Sequence, residues 1–127
     1  MIKKGIALIM ALAMLSVLFT ACTIRNGSAA SSGPAVQMNN TNFKQSSITI
    51  KKDQMLNLVD DVNIEHIITN GTWQGTTQVH EKKAGAPSVS KTFHGNDSSS
   101  VGPFTTAGTF QLYCTIHQGM NLTVKVQ

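Results

Sequence analysis

Ser47-Ile48-Thr49-Ile50-Lys51 and Asn121-Leu122-Thr123-Val124-Lys125-Val126 alternate apolar and polar residues without a break. A period of two places every second side chain on one face, so each segment reads as a strand with one face buried and the other wet. Met55-Leu56-Asn57-Leu58-Val59 is a short apolar run broken only by Asn57, set between turn points at Lys52-Asp53 and Asp60-Asp61. It reads as a further strand, buried on most of both faces. Val62 to Thr69 alternates on a β-branched background and stops at the turn pair Asn70-Gly71. Beyond an apolar N-terminal segment nothing carries a helical period. The expected fold class is therefore all-β, an antiparallel Greek-key β-sandwich.

The N-terminal segment belongs to export and not to the fold. Lys3 and Lys4 form a positive leader, and the apolar stretch from Gly5 to Leu18 is too short for an ordinary membrane span. Phe19-Thr20-Ala21-Cys22 then sets small residues before a cysteine and resembles a bacterial lipobox. That resemblance implies a lipoprotein signal peptide over residues 1–21 and lipidation of Cys22. Each buried CH2 contributes about 0.8 kcal/mol, so several acyl chains anchor stably. The mature protein is expected to be exported and lipid-anchored to a membrane, facing the periplasm or the cell exterior. Residues 22–36 are rich in Ser, Gly and Ala and read as a flexible tether, roughly 45 Å long if fully stretched. The folded domain is expected over 37–127, roughly 90 residues, enough for one small core. Within it, residues 72–103 turn to Gly, Ser, Thr and charged residues, with weak strand signals only at Thr76 to Val79 and Ser88 to Phe93. Long loops are expected there.

The chemistry concentrates in Cys114-Thr115-Ile116-His117-Gln118-Gly119-Met120, a C-x2-H-x2-M run that puts a thiolate, an imidazole and a thioether in one tight turn. A thioether adds little for zinc or iron(II), whereas copper cycling between two oxidation states uses all three donors. A trigonal copper site needs a second imidazole, and His66 is the upstream candidate. The cysteine count is consistent. Two cysteines in an exported chain ordinarily suggest a disulfide, but with Cys22 committed to lipid, Cys114 stands alone in an oxidising compartment. Metal ligation protects such a thiol from oxidation.

Gly108-Thr109-Phe110-Gln111-Leu112-Tyr113-Cys114 resembles the G-x-[FY]-x-x-Y-C approach to the thiolate ligand in the cupredoxins, the small type 1 blue copper proteins, and the C-x2-H-x2-M spacing is that of short-loop members. The resemblance covers roughly the C-terminal two-thirds of the chain. It implies one copper ion held by His66, Cys114, His117 and Met120, with Met120 axial. It also implies that Cys114 carries the strongest electronic coupling and that His117 is the exit towards a partner. Two positions depart from the family's pattern. Ile67 follows His66 where an Asn that ties the two ligand loops is common, so another residue is expected to supply that tie, Asn70 or Thr115. Ile116 stands where short-loop members place Pro, leaving a less rigid turn with an apolar outer surface. A backbone N–H, that of Ile67, is expected near the Cys114 sulfur, where it would raise the reduction potential.

The function implied is one-electron transfer and not enzymatic catalysis, carried out by a monomer with redox proteins as donor and acceptor. The docking surface is expected to be an apolar collar of Pro103, Phe104, Ile116 and Gly119 around His117. The formal charge of +4 includes Lys3 and Lys4, and without them eight Lys and Arg face six Asp and Glu, too weak a balance for nucleic-acid binding. A copper chaperone or storage protein is the alternative. It would use accessible soft ligands, and past residue 22 the methionines are only Met38, Met55 and Met120. A thiol enzyme built on Cys114 and His117 leaves Met120 and His66 unexplained. His80 and His94 read as solvated surface histidines, Lys82-Lys83 as a solvated turn, and Trp73 as a packing residue.

Overall fold

The computed structural model describes residues 33–127. The expected signal peptide, Cys22 and the expected tether up to residue 32 lie outside the described residues. Ten strands follow one another: β1 (Ala35–Met38), β2 (Ser47–Ile50), β3 (Leu56–Asp60), β4 (His66–Asn70), β5 (Thr72–Gln74), β6 (Thr77–Val79), β7 (Ser90–Phe93), β8 (Asp97–Val101), β9 (Gly108–Cys114) and β10 (Asn121–Val126). They form a three-stranded sheet in the order β1-β3-β8, a five-stranded sheet in the order β2-β10-β9-β4-β7, and a separate hairpin of β5 and β6. Period-two side chains from both larger sheets meet in one core. Val36, Met38, Leu56 and Leu58 come from the first sheet, and Ile68, Phe93, Phe110, Leu112, Leu122 and Val124 from the second.

Strand direction departs from the antiparallel expectation. β1 pairs with β3 in parallel, Ala35 opposite Asn57, and β2 pairs with β10 in parallel, Ser47 opposite Thr123. The chain leaves the first sheet after β1, returns along β2 in the second, and so re-enters the first at β3 in the direction of β1. Alternation reports which face a residue takes and is silent on direction.

The boundaries also shift. The fold begins at Ala35, two residues before the expected domain start at Gln37, because Val36 is fully buried and the Pro34 carbonyl accepts Asn57 N–H at 2.9 Å. β3 is buried on alternate positions and not on both faces: Leu56, Leu58 and Asp60 point inward, while Met55 is exposed. Asp60, expected in a turn, thus ends the strand on its buried face. β4 starts at His66, the preceding residues 62–65 lying outside any strand. The stretch 72–103 holds four strands: β6 and β7 fall on the two weak strand signals, and β5 and β8 lie where loops were expected. β8 escapes pattern reading because Asp97-Ser98-Ser99-Ser100 is an edge strand of polar residues, mostly wet, paired only with β3.

Strand direction places the chemistry. β1, β3, β7 and β9 end, and β2, β4, β8 and β10 begin, at one pole of the sandwich, as the registers Met38 to Asp60, Asp60 to Asp97, His66 to Phe93 and Asn121 to Tyr113 require.

Candidate metal centre

His66 and Cys114 sit on neighbouring strands, since β4 pairs with β9 through Ile68 opposite Cys114. Even-numbered residues of β9 face the core, so Cys114 continues the line of Phe110 and Leu112 and is fully buried. The chain then turns back within six residues. Cys114 N–H donates to the Met120 carbonyl at 3.0 Å, and Met120 N–H to the His117 carbonyl at 3.2 Å. Gly119 adopts φ +78°, a left-handed conformation that closes so tight a turn and disfavours any side chain.

The turn folds His117 back over Cys114. Its Nδ1 lies 3.4 Å from Cys114 Sγ, and His66 Nδ1 lies 3.8 Å from the same sulfur. The two imidazole rings stand 4.8 Å apart at 56°. The donor atoms of His66, Cys114 and His117 all fall within 4.8 Å of one another. Bonds of about 2.0 Å to nitrogen and about 2.3 Å to sulfur set those atoms about 3.5–3.7 Å apart across angles of about 110° to 120°. The spacing fits one first-row metal ion. Met120 is fully buried beneath the turn, its backbone bonded to that of Cys114. A mixed set of one thiolate, two imidazoles and a thioether is the chemistry of type 1 copper.

Burial selects the protonation state. His66 is fully buried, and desolvation lowers its pKa below the ordinary histidine value. The Asp60 carboxylate opposes that shift, His117 adds to it, and the Asn39 carbonyl near the ring acts with Asp60 without completing a hydrogen bond to Nε2. The neutral imidazole so favoured is the ligand form. His66 Nε2, on the side of the ring away from Cys114, lies 4.0 Å from Asp60 Oδ1, which itself accepts Val62 N–H at 3.2 Å. Asp60 Oδ2 and His66 Nε2 are the buried side-chain polar atoms left without partners among the described residues. With Nδ1 as a metal donor, Nε2 would carry the ring proton, and it faces a buried carboxylate.

The tie between the two ligand segments is a backbone bond. Thr115 N–H donates to the Ile67 carbonyl at 2.9 Å. Asn70 lies elsewhere, accepting Val89 N–H at 2.8 Å and donating to the Pro87 carbonyl at 3.0 Å. The expected docking collar divides. Ile116 and Gly119 are exposed beside the half-buried His117. Phe104 is fully buried, and its backbone bonds to Asp53 and Gln54 put it and Pro103 at the opposite pole, where β8 ends and β9 begins.

The sequence placed Asp60 in a turn and Trp73 among packing residues and did not single out Gln78, so none of the three was expected beside the ligands. Asp60 was detectable as a carboxylate in phase with Leu56 and Leu58. Trp73 and Gln78 carry no such signal, since their contacts are 41 and 37 residues away in the chain. His80 is exposed, yet its Nδ1 lies 2.5 Å from the hydroxyl of buried Tyr113. Burial raises the pKa of that phenol above its ordinary value. His94 is exposed, 3.3 Å from Glu65 Oε2.

No family model matches the chain, and no curated protein matches it. Solved structures do. The chain is similar to amicyanin from Paracoccus versutus (Thiobacillus versutus), at 17% identity over 79% of this chain and 86% of that one, with a TM-score of 0.60. It is similar as well to a reduced-state amicyanin variant, at 17% identity over 79% and 87% with a TM-score of 0.59. A Cu(I) amicyanin variant matches at 15% identity over 79% and 87%, again with a TM-score of 0.59. The chain therefore has the cupredoxin fold.

Proposed function

We propose that the protein is a one-electron carrier with a single type 1 copper ion held by His66 Nδ1, Cys114 Sγ and His117 Nδ1, with the Met120 thioether as a weak axial donor. The observation that carries this reading is the convergence of two imidazole nitrogens on one buried thiol at 3.8 Å and 3.4 Å. Copper supplies the Cu(I)/Cu(II) couple when bound. The chain's part is to hold donors that suit both oxidation states and to keep water from them. His66, Cys114 and Met120 are fully buried, and half-buried His117 is the donor that reaches the surface. An electron would pass there, to a redox protein docked on Ile116 and Gly119. The resemblance to amicyanin, whose variant is described in a Cu(I) state, supports copper as the metal.

The same burial argues for a carrier over a copper chaperone or store, which needs accessible soft ligands in order to pass copper to a partner. No substrate pocket is required by this role. The reading extends to the cell: residues 1–21 direct export, Cys22 takes the lipid, and residues 23–34 tether the domain to the membrane face. Replacing Cys22→Ser should move the protein from the membrane fraction to the soluble fraction. Retention on the membrane would remove the lipid anchor from the proposal.

The deciding experiment is addition of Cu(II) to metal-free protein while recording the visible spectrum. An intense thiolate-to-copper band is expected, abolished in Cys114→Ser and altered in Met120→Leu. A colourless, copper-bound wild type would overturn the assignment.

A further inference from the structure

The outer face of β9 presents Tyr113, which by strand parity should be wet and is instead fully buried. What covers it is the β5–β6 hairpin. Trp73 stands edge-on to the Tyr113 ring, 6.2 Å between centroids at 89°. Gly71, at φ +126°, lets the hairpin leave β4 against that ring: a Cβ there would lie 2.1 Å from the Val79 carbonyl and 2.9 Å from the Tyr113 ring. The hairpin is thus seated closely on the strand that delivers Cys114.

Its side chains go on to the ligand turn. Trp73 Nε1–H donates to the Cys114 carbonyl at 2.8 Å, and Gln78 Nε2–H donates to the Thr115 carbonyl at 3.1 Å. Each end of the hairpin is fixed in turn. Asn121, the residue after Met120, accepts Trp73 N–H at 2.7 Å and donates to the Trp73 carbonyl at 3.1 Å. The Tyr113 hydroxyl lies 3.2 Å from Gln78 Oε1 and also meets His80 Nδ1. Two consecutive carbonyls, those of Cys114 and Thr115, are therefore held by one hairpin. The residues flanking the turn, Tyr113 and Asn121, are held by the same hairpin.

We propose that the β5–β6 hairpin is the brace of the Cys114–Met120 turn, with Trp73, Gln78 and Asn121 as positioning residues that fix the thiolate and His117. The brace takes the place of a side-chain tie after the first histidine, where this chain has Ile67. A carbonyl deprived of its donor in a covered site must find another partner, and the turn shifts to do so. The proposal concerns the turn itself and stands with or without metal. Its consequence for electron transfer rests on the type 1 copper reading.

The test compares amide hydrogen exchange in the full chain, metal-free, for wild type, Trp73→Phe and Gln78→Met. Phenylalanine keeps a ring against Tyr113 and removes only the donor, and Gln78→Met serves should Trp73→Phe fail to fold. The expected result is exchange about tenfold faster at Cys114, Thr115 and Met120, the factor that loss of one net hydrogen bond corresponds to, with Leu58 and Leu122 unchanged. Unchanged exchange at all of these amides would overturn the brace. Uniformly faster exchange through the domain would also overturn it, assigning the hairpin a general stabilising role. The copper-loaded variants supply the second readout. If wild type shows the thiolate band and both variants keep its energy and intensity, the brace fails while the copper reading survives. If wild type shows no band, the copper reading fails, and the exchange result still decides the brace.

Discussion

Asp60 is the side chain whose placement has the clearest chemical consequence outside the ligands. A metal-bound imidazole whose free N–H meets a carboxylate is fixed in tautomer and made a stronger donor, and losing such a partner costs about 10- to 100-fold in metal affinity. Asp60 and His66 are both buried, Nε2 lies 4.0 Å from Oδ1, and neither Nε2 nor Asp60 Oδ2 has a hydrogen-bond partner among the described residues. Asp60→Asn preserves volume and removes the negative charge and one of the two acceptor oxygens. Its affinity for Cu(II), measured by competition with a chelator, is expected to fall by about 10- to 100-fold. Its reduction potential should rise, because an anion beside the ligand favours the more positive metal state. Equal affinity and potential would make Asp60 a structural acid only. Cys114, His117 and Met120 were legible as a set because donor type and spacing within one turn are local properties, whereas His66, 48 residues upstream, followed from the need for a second imidazole. Asp60 was half legible, since its parity with Leu58 was visible but its neighbour His66 was not.

Among the elements, β1 and the β5–β6 hairpin show how far local pattern extends. β1 is a four-residue edge strand emerging from a Ser- and Gly-rich segment, and its inward residues Val36 and Met38 are both fully buried. Fully burying an aliphatic side chain contributes about 1.5–3 kcal/mol. A chain beginning at Gln37 lacks Ala35 and Val36, and should unfold at a lower denaturant midpoint than one beginning at Gly33, by about that free energy. Identical midpoints would show that the edge strand adds nothing. β2 and β10 were legible to within a residue because strict alternation marks a half-buried strand. β5 and β8 were not, as three residues ending in Gln74 and a serine-rich edge have too little apolar content to produce a period.

For the whole molecule, polarity is the organising fact. The donor atoms lie at one pole, and the chain enters at the other, where the Pro34 carbonyl meets Asn57 and β1 runs towards the site. Exposed Ile116 belongs to the donor pole and exposed Pro103 to the entry pole. Ile116→Lys should therefore slow electron exchange with a physiological partner, and Pro103→Lys should leave it unchanged, as followed by stopped-flow. The reverse pattern would move docking to the entry pole. What the amino-acid order determined was the strand period and the C-x2-H-x2-M turn at Cys114, both consequences of residue type over a few neighbouring positions. Packing settled the parallel pairs, the burial of Asp60 and Phe104, and the hairpin's hold on the Cys114 and Thr115 carbonyls. Those depend on which distant segments come to cover one another, and a period along the chain records a face without recording what lies against it.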